Sequence, residues 1–153
     1  PDLEVSSFKT SHDAAESVGY TVTDGRKKIS IATDLGVMTE TVLQHIRQSD
    51  AILLESNYDE DMLRFGSYPP PLKQRILSRS GHLSNEDCSV TAALLAEQGT
   101  SRIILGHISI QNNTADLAYS VTQKAMEEKN IRPNEDVQLS LAPRKEQSDL
   151  WEV

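Results

Sequence analysis

Apolar and polar positions alternate in three early stretches, LEVSSFK (3–9), SVGYTVT (17–23) and KISIATD (28–34). A period of two predicts half-buried strands. The second and third are joined by Asp24-Gly25-Arg26, a turn signal. The period then lengthens. In TETVLQHIRQ (39–48), Val42, Leu43 and Ile46 share one face, as in a helix. AILLES (51–56) is a continuous apolar run, the pattern of a strand covered on both sides. A long connection follows, holding a short helix around 59–65, a stop at Pro69-Pro70-Pro71 and a second helix over 72–79. NEDCSVTAALLAEQ (85–98) predicts a helix with Asn85 as N-cap, and Glu86 and Asp87 at its positive end. RIILG (102–106) predicts a strand, TADLAYSVTQKAMEEK (114–129) a helix and VQLSLA (137–142) a last strand. Strands lead, then alternate with helices, so the expected class is α/β or α+β. From Pro143 on, a charged tail is expected to be loose.

Length and composition narrow the function. The 153 residues suit one domain with a real core, 37% of them hydrophobic. No apolar run approaches a membrane span, and no signal peptide is visible. One cysteine, Cys88 within the 85–98 helix, excludes an internal disulfide framework and reads as a small core residue. A cytoplasmic setting is expected. The net charge of −8 argues against a simple electrostatic nucleic-acid binder. It leaves room for an acidic enzyme that meets phosphate through bound cations.

Chemistry-bearing residues gather where predicted strands run out: Ser11-His12-Asp13, Thr33-Asp34-Leu35-Gly36, Glu55-Ser56-Asn57 and Gly106-His107-Ile108-Ser109. Loops held by a rigid sheet commonly carry sites. A second Gly-His pair, Gly81-His82, precedes the 85–98 helix. Histidines with aspartate suit divalent transition metals. Each also has a plain structural alternative. His12 and His82 are then loop histidines, and Asp34 is a turn or cap residue. His45 lies inside a helix and reads as a packing residue, and Glu127-Glu128-Lys129 as a solvated helix end.

The series SHDAAESVGY, TDLGVMTETV, ILLESNYDEDMLRFGSYPPPLKQRI, SGHLSNED and IILGHISIQNN resembles the YycJ/WalJ family of metallo-β-lactamase-fold hydrolases, across about residues 3 to 142. The resemblance implies an αββα sandwich around two divalent ions, zinc or manganese. It implies that His12 ligates metal, Asp34 bridges the two ions and His107 is the last ligating histidine. ILLES, GHLSN and ILGHIS are also similar to the tRNase Z phosphodiesterases. That similarity implies a proton shuttle in which Glu55 holds His82, the general acid. Ser84 and Asn85 are then placed to bind phosphate at a helix N-terminus, or simply to cap it.

The family's His-x-His-x-Asp-His motif is absent; the histidines are His12, His45, His82 and His107. Residues 1–142 are therefore expected to be the C-terminal half of the domain, with 143–153 a tail. Half a sandwich exposes an apolar sheet face. The isolated chain is expected to be inactive, with the N-terminal half or a second copy covering that face. For the complete protein the resemblance implies a 5′-to-3′ exonuclease on duplex DNA, linked to repair. Lys73, Arg75 and Arg79 either line a DNA path or form a solvated helix face. The alternatives are a phosphodiesterase of small cyclic or nucleotide substrates or of RNA, and a non-catalytic interaction module.

Overall fold

The computed structural model describes residues 2–148, 150 and 153; Pro1 and the tail positions 149, 151 and 152 lie outside the described residues. Six strands form one sheet in chain order: β1 (Glu4–Lys9), β2 (Val18–Thr23), β3 (Lys28–Ala32), β4 (Ala51–Glu55), β5 (Arg102–Gly106) and β6 (Gln138–Leu141). The β2–β3 turn forms because Asp24 Oδ1 accepts the amides of Arg26 and Lys27 at 2.9 and 2.8 Å. Gly25 supplies the positive φ of 82° that side chains disfavour. β2 runs antiparallel to β1 and β3, whereas β3 to β6 are mutually parallel. β1 therefore points the same way as β3 to β6, and five strands deliver their carboxyl ends to one edge.

Among the described residues there are also five helices: α1 (Glu40–Ile46), α2 (Glu60–Phe65), α3 (Pro70–Ile76), α4 (Asn85–Glu97) and α5 (Ala115–Glu128). Side-chain oxygens of Thr39, Asp59, Ser84 and Thr114 cap α1, α2, α4 and α5. Two expectations are corrected. The three prolines do not stop a helix; Pro69 is the N-cap of α3, and Pro70 and Pro71 occupy its first turn. The missing amides cost nothing there, because those positions have no helical acceptor. The cap of α4 is Ser84, which accepts from the Asp87 amide at 3.0 Å, while Asn85 lies inside the helix. Helix α1 also closes earlier than predicted, at the Arg47 C-cap, just before Gln48 turns to φ 58°. Among the described residues, no helix is long and apolar enough to cross a membrane.

Helices α1, α4 and α5 cover one sheet face. Ile52, Leu54, Ile103 and Leu105 are fully buried there with Val42, Ile46, Leu95 and Met126. The other face is different. Cross-strand rows Val5-Val22-Ile29 and Ser7-Tyr20-Ile31-Leu53 place apolar side chains side by side, yet Val5, Tyr20, Ile29 and Ile31 are 61, 44, 41 and 40% exposed. A contiguous apolar face of this kind marks a surface built to be covered. The described tail residues Pro143, Glu146, Ser148 and Val153 line a hollow on this face beside Ile29, Ile31 and Leu53.

Candidate metal centre

The common strand direction brings the sequence candidates to one edge. His12 follows β1, Asp34 follows β3, Glu55 ends β4 and His107 follows β5. His82 arrives from the loop between α3 and α4. Asp34 and His107 hold left-handed backbone, φ 57° and 54°. Such conformations cost on the order of 1 kcal/mol or more for a non-glycine residue and cluster at functional sites.

The 79–81 segment packs on the first two loops. The Ser11 hydroxyl donates to the Arg79 carbonyl. The Asp13 amide donates to Ser80 O at 3.0 Å, and the Gly36 amide to Ser11 O at 2.6 Å. A Cβ on Gly81 would collide with the carbonyl oxygens of Arg75 and Ile76. Gly81→Ala is therefore expected to destabilise the full-length protein by about 2–3 kcal/mol, the cost of backbone overpacking. Urea unfolding checks this; a wild-type midpoint would mean that the loop has room to move.

Each histidine is oriented by a hydrogen bond at Nδ1. His12 Nδ1 donates to the Gly81 carbonyl at 2.7 Å. This leaves its Nε2 lone pair 3.5 Å from Asp34 Oδ1. Two donor atoms sharing a tetrahedral zinc at about 2.0–2.1 Å lie about 3.3 Å apart, so this pair fits a single ion. The wholly buried Glu55 accepts from both other rings at one oxygen, His82 Nδ1 at 2.7 Å and His107 Nδ1 at 2.8 Å. Its second oxygen accepts the Leu35 amide at 2.6 Å. These spacings are hydrogen bonds, shorter than that of two ligands on one ion, so Glu55 holds the rings rather than a metal. An ionised carboxylate only accepts. Each ring must therefore bring its proton on Nδ1 and keep Nε2 for other work. Burial pushes the Glu55 carboxyl up, but the bonds from His107 and His82 outweigh it and hold it below its ordinary value. The same bond to Glu55 raises His107 against its partial burial.

His12, Asp34 and His82 offer donor atoms within 4.8 Å of one another, and Glu55, His82 and His107 form a second such group. Asp34 Oδ1 lies 3.9 Å from Nδ1 of both His82 and His107. The rings of His12 and His82 are 4.8 Å apart, and those of His82 and His107 5.2 Å. A hard carboxylate ringed by three imidazoles is a donor set that fits a divalent cation such as Zn²⁺ or Mn²⁺.

The remaining candidates separate. Ser84 uses its oxygen on the α4 cap. Asn85 is wholly buried and turns inward, accepting from Ser56 Oγ at 2.7 Å and exchanging amide bonds with Asn113. Cys88 is fully buried, and burial pushes its thiol up to about 12, as suits an inert core residue. Arg75 grips Asp13 with both arms, at 2.5 and 2.8 Å. That bond holds the exposed Asp13 carboxyl down at about 2. Lys73 donates to the Arg64 carbonyl. Sequence reasoning missed the second bond of Glu55, to His107. It also missed the Gly81 carbonyl, since no side chain announces it, and the buried Asn113 partner of Asn85. The tail begins against the centre: the Arg144 guanidinium donates to the Ile108 carbonyl, one residue past His107.

A six-stranded mixed sheet with an acid-and-histidine cluster at its carboxyl edge is the layout of metallo-β-lactamase-type hydrolases, and the chain belongs to this superfamily: the beta-lactamase superfamily domain matches residues 1–108. Among named relatives, it is 40% identical over 128 residues to exodeoxyribonuclease YycJ of Bacillus anthracis, covering 84% of this chain and 48% of YycJ. It is 39% identical over 118 residues to exodeoxyribonuclease WalJ of Streptococcus pneumoniae D39, covering 77% of this chain and 44% of WalJ. The chain thus spans about half the length of these relatives. The crystal structure of Zn²⁺-bound PqqB from Methylobacterium extorquens shares the fold at TM-score 0.58 and 23% identity, over 97% of this chain and 50% of PqqB.

Proposed function

We propose that this chain is the C-terminal half of a metal-dependent phosphodiesterase domain, and that the full-length protein is a 5′-to-3′ DNA exonuclease of the cytoplasm with a role in repair. The observation that carries the reading is the buried Glu55 carboxylate holding His82 and His107 beside Asp34 and His12. The names of the two exodeoxyribonuclease relatives support the DNA substrate. Zinc in PqqB supports a divalent metal. His12, Asp34 and His107 would hold part of a two-ion centre. When bound, such ions activate water and neutralise charge on the phosphate. The remaining ligands come from an upstream half, which also covers the open face carrying Val5, Tyr20 and Ile31. A second copy of the chain is the other candidate cover.

In this mechanism His82 acts as the imidazolium, keeping its Nδ1 proton on Glu55 and giving its Nε2 proton to the departing alkoxide, which leaves the neutral Nδ1–H ring. The buried carboxylate orients the ring and stabilises its charged form. Ser84 stands at the N-terminus of α4, where the peptide amides favour a phosphate. His82→Ala is expected to lower turnover by roughly 10²–10³-fold, the scale of one general acid, with metal content unchanged. Metal analysis beside single-turnover rates checks this; loss of a metal ion would make His82 a ligand instead.

A second reading is a phosphodiesterase of small nucleotide substrates or of RNA; the net charge of −8 favours the small substrates, because any long polyanion prefers a basic path. The experiment is degradation of 5′-phosphorylated duplex DNA by the full-length protein with Mn²⁺ or Zn²⁺, beside single-stranded RNA and a cyclic nucleotide. Shortening from the 5′ end supports the exonuclease. Cleavage of RNA or the cyclic nucleotide alone moves the substrate to the second reading. No cleavage of any substrate by folded, metal-loaded protein leaves an interaction module.

A further inference from the structure

A cleft of about 610 Å³ opens beside His82 and His107. Its size falls in the range of about 300–1,000 Å³ typical of small-ligand sites, which is room for one nucleotide and too little for a duplex. Tyr68, Leu72 and Ile76 line it from α3 and its approach, and Ile110 adds an apolar side chain that is 79% exposed. Arg144 also lines it. The two arginines of the cleft are not equivalent. Arg75 is neutralised by Asp13. Arg144 meets only the neutral Ile108 carbonyl and, among the described residues, has no acidic partner. A cleft with an aromatic and aliphatic lining and a guanidinium that has no acidic partner among the described residues, in a chain of net charge −8, suits a planar apolar group that carries negative charge.

We infer that this cleft binds the nucleotide next to the scissile phosphate, as one unstacked unit of a strand end, with its base against Tyr68 and Leu72 and its flanking phosphate on Arg144. The inference rests on the phosphodiesterase reading and narrows its substrate to a strand of at least two phosphates whose end is unpaired. Arginine suits the flanking phosphate because its planar fork can bind two oxygens at once. Tyr68 suits the base because every base offers a face to stack. Arg144 touches the chain one residue after His107, so phosphate binding and the position of that histidine meet in one loop.

The test uses the full-length protein and two substrates, a 5′-phosphorylated tetrathymidylate and bis(p-nitrophenyl) phosphate, a diester with no flanking phosphate. Arg144→Ala is expected to raise KM for the tetranucleotide about tenfold, the scale of one charge-assisted phosphate contact, with the effect on kcat several-fold smaller. The ratio of kcat/KM between the two substrates should fall by the same factor, and Arg144→Lys should recover part of it. In a parallel arm, anisotropy of a 3′-fluorescein tetrathymidylate is read without turnover. There Tyr68→Ala should weaken binding about tenfold while Tyr68→Phe does not. Equal losses on both substrates would overturn the inference and make Arg144 a support of the His107 loop through Ile108. Wild-type affinity in Arg144→Ala and Tyr68→Ala would remove the subsite. If the wild type hydrolyses neither substrate, the phosphodiesterase reading fails, while the anisotropy arm still decides whether the cleft holds a nucleotide.

Discussion

Asp34→Asn is expected to lower DNA turnover by the proposed full-length exonuclease about a thousandfold, the scale of losing one preorganised group that meets developing charge, and to reduce bound metal. Its carboxylate stands 3.5 Å from His12 Nε2 and 3.9 Å from the rings of His82 and His107, where a neutral amide would be a poorer ligand for a divalent cation. The substitution is clean for a structural reason. Asp34 holds φ 57°, and asparagine is among the few side chains that accept left-handed backbone as readily as aspartate. The fold should therefore survive, with thermal unfolding of the metal-free protein close to wild type. Metal content and single-turnover rates, measured on the same preparation, check this. A variant that keeps both metal and rate would take Asp34 out of the centre.

Glu55→Gln is expected to act on stability and chemistry together. The wild-type carboxylate accepts three hydrogen bonds, from His82 and His107 at one oxygen and from the Leu35 amide at the other, with no exposure to water. A glutamine offers one acceptor and one donor. With its nitrogen toward Leu35 a buried N–H faces a buried N–H, and with its nitrogen toward the rings both must give up the Nδ1 proton and take the other tautomer. Leaving such groups unmatched costs roughly 3 kcal/mol. The rings then lose the acceptor that fixes their tautomer. Losing a carboxylate that orients metal-binding imidazoles lowers metal affinity by about 10–100-fold. The expected outcome is a lower unfolding temperature, weaker metal binding in a zinc titration and slower proton transfer to the leaving group. Unchanged stability and metal affinity would show that the buried carboxylate does not hold the two histidines.

The two variants probe different layers. Asp34 stands in the donor set itself, so its loss is felt mainly as metal and rate. Glu55 lies beneath that set, so its loss is felt first as unfolding. If both behaved alike, the distinction between ligand and holder drawn from the 2.7–2.8 Å and 3.5–3.9 Å spacings would be wrong.

Local pattern decided the elements of this chain. The unbroken run in Ala51–Glu55 announced a buried strand, and four of its five residues are buried between two parallel neighbours. The period-two stretches announced β1 to β3, and Asp24-Gly25 their turn. The elements misjudged were those where one residue type serves opposite ends. Proline stops a helix from within but opens one from its first turn, as at Pro70 and Pro71. Serine and asparagine are both good caps, and the packing of Asn85 against Ser56 and Asn113 left the cap of α4 to Ser84. The candidate residues were legible by type and by their place at strand ends, because strand ends are where loops begin. Their assembly was not. Glu55 meets His82 and His107 across 27 and 52 residues of chain, and His12 meets the Gly81 carbonyl across 69. Those meetings depend on five strands pointing the same way, on left-handed turns at Asp34 and His107, and on a backbone oxygen that no side chain advertises. Hydrophobic periodicity reports which face of an element is buried, whereas the direction of a strand and the partner of a buried carboxylate exist only once the sheet has closed around them.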